Sequence, residues 1–273
     1  MGYKVLDIYK DLPMDNCKEC GRPTCFAFAS AVYLEGAPIS GCGRLDPARR
    51  EAMEVRLAAE RSQGAARGTD RGEQALRFLE SVLGKVDFSS AAGRCGGEWA
   101  SGPPEAIRLR FLDSLYCVTR GGVTALEGGP PPVWVKILLL IYVTRATADP
   151  SSGVWIAYRQ LPNTMSKAKS FEATADRVAE VFDRDPPGLD RAALGLGGEA
   201  VSFGSADRAY RFRVLPRVEL LLLFWQGEEE FPARSSLLVD RDVLGYLDQE
   251  AIVFLAEAFV NRLLGRGLDA IVP

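Results

Sequence analysis

Cys17, Cys20, Cys25 and Cys42 are the residues of this chain whose type and spacing carry chemistry. They form the pattern C-x2-C-x4-C-x16-C, and only two further cysteines, Cys95 and Cys117, occur in the 273 residues. Four thiolates so clustered in sequence read as a metal site. The pattern predicts one cubane [4Fe-4S] cluster, in which each of four irons takes one outer cysteine ligand. Cys17, Cys20 and Cys25 would serve three corners from one short loop, and Cys42 would return for the fourth. A four-thiolate zinc site is the chemical alternative, although such sites usually use paired C-x2-C arms. A disulfide pair is a third reading, disfavoured where no secretory leader is read.

The residues between the ligands fit a tight loop feeding a helix. Gly21 can take a positive φ, and Pro23 narrows the loop further. Thr24 is a ready N-cap for a helix from Cys25 to about Leu34, with Gly36 as its stop. The positive end of that helix would face an anionic cluster.

The stretch Cys17-Lys18-Glu19-Cys20-Gly21-Arg22-Pro23-Thr24-Cys25-Phe26-Ala27-Phe28-Ala29, with Cys42 downstream, resembles a known module. It is similar to the four-cysteine domain of the corrinoid iron–sulfur protein large subunit and of the B subunit of Rnf electron-transport complexes. The resemblance covers roughly residues 10 to 46. It implies a [4Fe-4S] cluster held by these four cysteines and one-electron transfer, with a redox partner protein that could be corrinoid-dependent.

Composition limits the other classes. Hydrophobic residues make up 47% and charged residues 25%, a soluble globular balance, and the net charge of −3 gives no basis for nucleic-acid binding. The longest apolar run, Val133 to Val143, is interrupted by Lys136 and too short to span a bilayer. A cytoplasmic location follows as the expectation. There is no histidine, so imidazole general bases, His-ligated zinc and imidazole ligation of cobalt or haem are all excluded.

The elements that must position these groups suggest two domains. Residues 1–61 form the cysteine module and a trailing helix that starts at Asp46-Pro47. Polar residues 62–71 read as a flexible linker, and residues 72–273 as a larger α+β domain built on a mixed sheet with flanking helices. In that domain the patterns predict helices at 71–83, 133–146, 171–182, 189–194 and 249–264. Strands are predicted at 107–111, 115–118, 123–126, 153–161, 200–203, 210–215, 218–226 and 236–239. Residues 89–104 and the glycines at 195, 197 and 198 read as loops, and Glu228–Glu230 as a solvated turn.

Phe111-Leu112-Asp113, Trp134 to Leu140, Trp155 to Pro162, Arg211 to Pro216 and Glu230-Phe231-Pro232 are together similar to an uncharacterised prokaryotic family, domain of unknown function 3786. The resemblance spans about residues 72 to 266. It implies a four-cysteine module in front of the domain and an anaerobic setting, and it names no reaction.

Other candidates are plainer. Cys117 reads as strand packing, and Cys95 as a loop thiol with Arg94 beside it. Trp155, Tyr158, Phe203, Tyr210, Phe212, Phe224 and Trp225 read as core aromatics that could alternatively line a cofactor pocket. Arg211 and Arg213 alternate with Phe212 and so share a strand face, where with Arg208 and Arg159 they could contact an anion or a partner. The sequence therefore points to an electron-transfer or accessory protein. The alternatives are a redox enzyme with its active site in the C-terminal domain and a zinc-stabilised adaptor.

Overall fold

The computed structural model describes residues 3–35, 37–149, 151–228 and 231–268. Gly36, expected as a helix stop, and residues 229 and 230 of the acidic run lie outside the described residues. The chain divides into two compact units, Met1–Arg71 and Gly72–Pro273.

In the first unit, α1 (Val5–Asp11) precedes the cysteine loop and α2 (Cys25–Ser30) follows it. A π-helical turn over Ala31–Glu35 replaces the expected last turn of α2, and a 3₁₀ turn (Ile39–Gly41) leads into Cys42. Ile8, Leu12, Phe28, Val32, Ile39 and Leu45 bury together with Cys25 and Cys42. Met53 and Leu57 add one face of α3 (Pro47–Leu83) to this core. Arg56 Nη1 donates to Asp11 Oδ2 at 3.1 Å, which ties α3 to α1.

The expected linker is the first correction. Residues 62–71 are helical backbone, and the separate helices predicted on either side are one 37-residue helix. Gly64 and Gly68 are the only strong helix-weakening residues there, at roughly 1 kcal/mol each relative to alanine. No proline interrupts the run, so helical flanks propagate through it.

The second unit is α+β, and here the single mixed sheet gives way to two antiparallel sheets. β1 (Glu98–Ala100), β2 (Ala106–Phe111), β3 (Ser114–Thr119) and β4 (Gly122–Ala125) pair in chain order. The second sheet runs β5-β9-β8-β7-β6, from β5 (Trp155–Ala157), β6 (Glu199–Val201), β7 (Arg208–Leu215), β8 (Val218–Trp225) and β9 (Arg234–Asp240). Only short connections join most neighbours, and short connections favour hairpins over parallel crossovers. β5 stops at Ala157, shorter than predicted, and the chain continues as a 3₁₀ turn (Tyr158–Gln160).

A second correction concerns residues 89–104. They hold α4 (Phe88–Cys95) and β1 as well as loop. Asp87 caps α4 by accepting from Ser89 N–H at 3.2 Å, and Gly96 closes it with φ +70°. Phe88, Ala91, Ala92 and Cys95 bury one face at helical spacing, but the glycines at 93, 96 and 97 and the serines at 89 and 90 make the stretch read as loop.

α5 (Val133–Arg145) follows three prolines and is buried along most of its length, as its apolar run predicts. α6 (Met165–Phe182), α7 (Pro186–Gly195) and α8 (Gln249–Leu263) complete the unit. Tyr210, Phe212, Leu220, Leu222, Phe224, Leu237 and Val239 from the five-stranded sheet share one core with α6 and α8. Phe212 meets Phe259 of α8 edge-on at 4.6 Å between ring centroids. Ser235 Oγ accepts from Ala179 N–H at 3.0 Å and donates to Ala175 O at 2.6 Å, fixing α6 against β9.

Asp240, 4% exposed at the end of β9, anchors the segment before β5. Its carboxylate accepts from Ser151 Oγ at 2.6 Å, Gly153 N–H at 2.7 Å, Asp242 N–H at 2.9 Å and Ser152 Oγ at 3.1 Å. Burial pushes the carboxyl up, but these donors outweigh it and hold the group below the usual aspartate range. A depressed folded pKa means that the carboxylate stabilises the fold above the unfolded value and loses that contribution as pH falls through the folded value. Asp240→Asn is therefore expected to cost roughly 2–3 kcal/mol at pH 7, because an amide cannot accept from all these donors. Urea denaturation should show the gap to wild type narrowing below about pH 4.

Candidate metal centre

The four clustered cysteines come to one place. Cys17, Cys20, Cys25 and Cys42 line a single pocket with Leu12, Asn16, Phe28 and Gly43 among its other walls. Cys25 and Cys42 are buried, Cys17 and Cys20 are half-buried, and all are free thiols.

The loop owes its shape to residues on either side of Cys17. Met14, Asn16 and Lys18 have φ of +60°, +50° and +63°, and Gly21 has +75°. Left-handed conformations at three non-glycine residues are costly and survive only where side chains fix them. Asn16 Oδ1 accepts from Cys25 N–H at 2.8 Å, linking the loop's start to its end. Asp15 Oδ1 accepts from Cys17 N–H at 3.3 Å and lies 3.9 Å from the Cys25 sulfur. Thr24 caps α2 as expected, accepting from Ala27 N–H at 3.0 Å. The amides of Cys25 and Ala27 are thus used within the loop.

Cys42 is held by the segment behind it. Arg44 donates to Glu19 Oε1 from Nη2 at 2.7 Å and to Asp15 Oδ2 from Nη1 at 3.1 Å. This fork fastens the returning ligand to the three-cysteine loop. Glu19 and then Asp15 push the Arg44 guanidinium further up, while the Cys17 amide and Arg44 hold the Asp15 carboxyl down against a desolvation effect that raises it. Burial pushes the Cys42 thiol up, and Cys20, Cys17 and Cys25 add to this against the opposing Arg44 amide. A thiol held up in this way is one that a cationic metal centre would relieve, with release of its proton on binding.

A hard-oxygen or imidazole site is not what these donors offer, and thiolates suit iron–sulfur clusters or zinc. Among the described residues, no group of three or more His, Cys, Asp or Glu is arranged to hold a single metal ion. The pocket nevertheless gathers all four thiols.

The other candidates are dispersed. Arg211 and Arg213 do share a face of β7, but each is in a cross-strand ion pair, with Glu199 at 2.5 Å and Glu219 at 3.4 Å. Arg208 pairs with Asp190 at 2.8 Å, and Arg159 with Glu172 at 3.0 Å. Cys95 is fully buried in the last turn of α4, not in a loop, and burial pushes its thiol up. Cys117 faces the half-exposed side of β3 opposite Arg108. Tyr158, Tyr210, Phe212 and Phe224 are core, whereas Trp155 and Trp225 flank the small cluster of Ala209, Leu221 and Leu223 on the sheet's other face. Asp15, Asn16 and Arg44 were not singled out in the sequence, although an Asp-Asn pair directly before a ligand is a common turn-forming signal.

This architecture defines an α+β protein with a cysteine-lined pocket in a small N-terminal unit. Residues 87–262 match the family model described as "Domain of unknown function (DUF3786)", and the chain belongs to that family. Residues 12–43 match a second model, described as "Putative Fe-S cluster". The chain is 45% identical over 53 residues to the corrinoid/iron-sulfur protein large subunit of Moorella thermoacetica, covering 19% of this chain and 12% of that one. It is 46% identical over 53 residues to the acetyl-CoA decarbonylase/synthase complex subunit gamma of Methanocaldococcus jannaschii, covering 19% and 11%. The chain thus spans only about an eighth or less of the length of these curated relatives. No solved structure matches it. These likenesses support an iron–sulfur cofactor on the N-terminal segment. Among the described residues, no helix is long and apolar enough to cross a membrane.

Proposed function

We propose that Cys17, Cys20, Cys25 and Cys42 hold one [4Fe-4S] cluster, and that the chain passes single electrons to a partner in the cytoplasm. The observation that carries this reading is the convergence of four free thiols on one pocket, two of them half-exposed. When bound, such a cluster supplies one-electron storage at a potential set by its surroundings. The chain's own residues do the rest. Leu12 and Phe28 exclude water from one side, Asp15 and Asn16 hold the loop, and Arg44 closes Cys42 onto it. Half-exposed Cys17 and Cys20 mark the side from which a partner would approach.

Zinc fits less well, because four-cysteine zinc sites usually take paired C-x2-C arms, whereas here a three-cysteine loop is followed by a lone fourth cysteine. For the partner, a corrinoid protein is the favoured class, since the N-terminal relatives include one whose name joins a corrinoid to an iron–sulfur centre. Without histidine this chain offers no imidazole to cobalt, so the corrinoid would be the partner's. Residues 72–273 would serve recognition, since the cysteine unit alone is enough to carry an electron.

Protein purified without oxygen is expected to contain about four irons and four sulfides per chain, with broad visible absorbance that bleaches on reduction. Stoichiometric zinc without sulfide would overturn the cluster. Failure of the reduced protein to reduce a corrinoid protein from the same cell would remove the corrinoid partner and leave the cluster standing.

A further inference from the structure

Arg50 is a cation without an ion pair among the described residues, and it donates to the backbone of Cys42. It lies on the buried side of α3, one turn ahead of Met53 and two ahead of Leu57. Its Nη2 donates to the carbonyls of Cys42 at 3.4 Å and Leu45 at 3.3 Å. Its Nε is buried with no hydrogen-bond partner. Among the described residues it forms no ion pair, although Arg44 and Arg56 in the same unit each find carboxylates.

Two physical arguments make this position unfavourable in the protein alone. A half-buried guanidinium with an unpartnered N–H carries a desolvation cost that only an anion or acceptor offsets. Arg50 also stands in the first turn of α3, where the helix dipole disfavours a cation. The Asp46 carboxylate that could have balanced it caps the helix instead, accepting from Arg49 N–H at 3.0 Å. An anion on the far side of Cys42 would offset the charge that both terms penalise, and four thiolates around an iron–sulfur core are such an anion.

We infer that Arg50 is a positioning and charge-compensating residue for the metal centre, acting through Cys42. It does not line the pocket. Its Nη2 holds the backbone of the fourth ligand in place, while its fixed positive charge favours the more negative, reduced form of the cluster. This inference rests on the cluster assignment above.

The test is a redox titration of Arg50→Gln, Arg50→Lys and Arg49→Gln beside wild type, with the rate of cluster loss to an iron chelator measured on each. Arg49 is the neighbouring exposed cation and serves as the control. Arg50→Gln should lower the one-electron reduction equilibrium on the order of ten-fold, about 59 mV toward negative potential, beyond any shift in Arg49→Gln. It should also lose its cluster faster. Arg50→Lys should stay closer to wild type in potential. If Arg50→Gln holds too little cluster to titrate, retention in Arg50→Lys supports the inference, and equal loss in both overturns charge compensation. A potential and a loss rate in Arg50→Gln matching Arg49→Gln would overturn it outright. Absence of sulfide in the wild type would instead refute the cluster assignment.

Discussion

Replacing any one of Cys17, Cys20, Cys25 or Cys42 by serine is expected to remove most of the iron, sulfide and visible absorbance, whereas Cys95→Ser and Cys117→Ser should keep them. The contrast follows from placement. Four sulfurs line one pocket, while Cys95 is enclosed in the α4–α5 core and Cys117 lies on β3. A serine oxygen is a harder and poorer ligand for iron–sulfur clusters than thiolate. The two buried ligands, Cys25 and Cys42, should be the more damaging, because they also pack in the core of the small unit. For them the loss of cluster should be joined by a lower unfolding midpoint even in metal-free protein. Full cluster content in any of the four variants would exclude that residue as a ligand.

Phe259→Ala should produce the largest stability loss, roughly 3–5 kcal/mol in urea denaturation. Phe259 is fully buried on α8 and packs edge-on against Phe212 of β7, so truncation opens a cavity between helix layer and sheet. Neighbouring aromatic rings and leucines held by a sheet relax poorly into such a void. Iron and sulfide content should be unchanged, because Phe259 belongs to the core of residues 72–273 and the four cysteines lie in the other unit. A loss below about 1 kcal/mol would mean that this core collapses around the gap. Cluster loss in the variant would count against treating the two units as separately stable.

Local information explains most of what was legible beforehand. Thr24, Asp46-Pro47 and the apolar runs of α5, β7, β8 and α8 act over a few residues, and the caps and periods they predict are present. The stretch 62–71 reads as a linker because of its two glycines and many polar side chains, while backbone hydrogen bonding passed on from good flanks decides the outcome. The π-helical turn at Ala31–Glu35 had no local signal.

By itself the sequence determined the donor set: four thiols at cubane-like spacing, no imidazole, and a glycine, a proline and a capping threonine to shape the loop. It also determined the α+β class, since periods of two and of 3.6 are written into neighbouring side chains. Only the tertiary structure decided which charges are already neutralised. Arg211 and Arg213 alternate in sequence as a cationic row, yet Glu199 and Glu219 reach them from adjacent strands. Arg50 looks like any helix-surface arginine until the fold puts the Cys42 and Leu45 carbonyls against its Nη2 and leaves it without an ion pair among the described residues. Burial and ion pairing depend on residues distant in the chain, so a pattern of near neighbours carries no record of them.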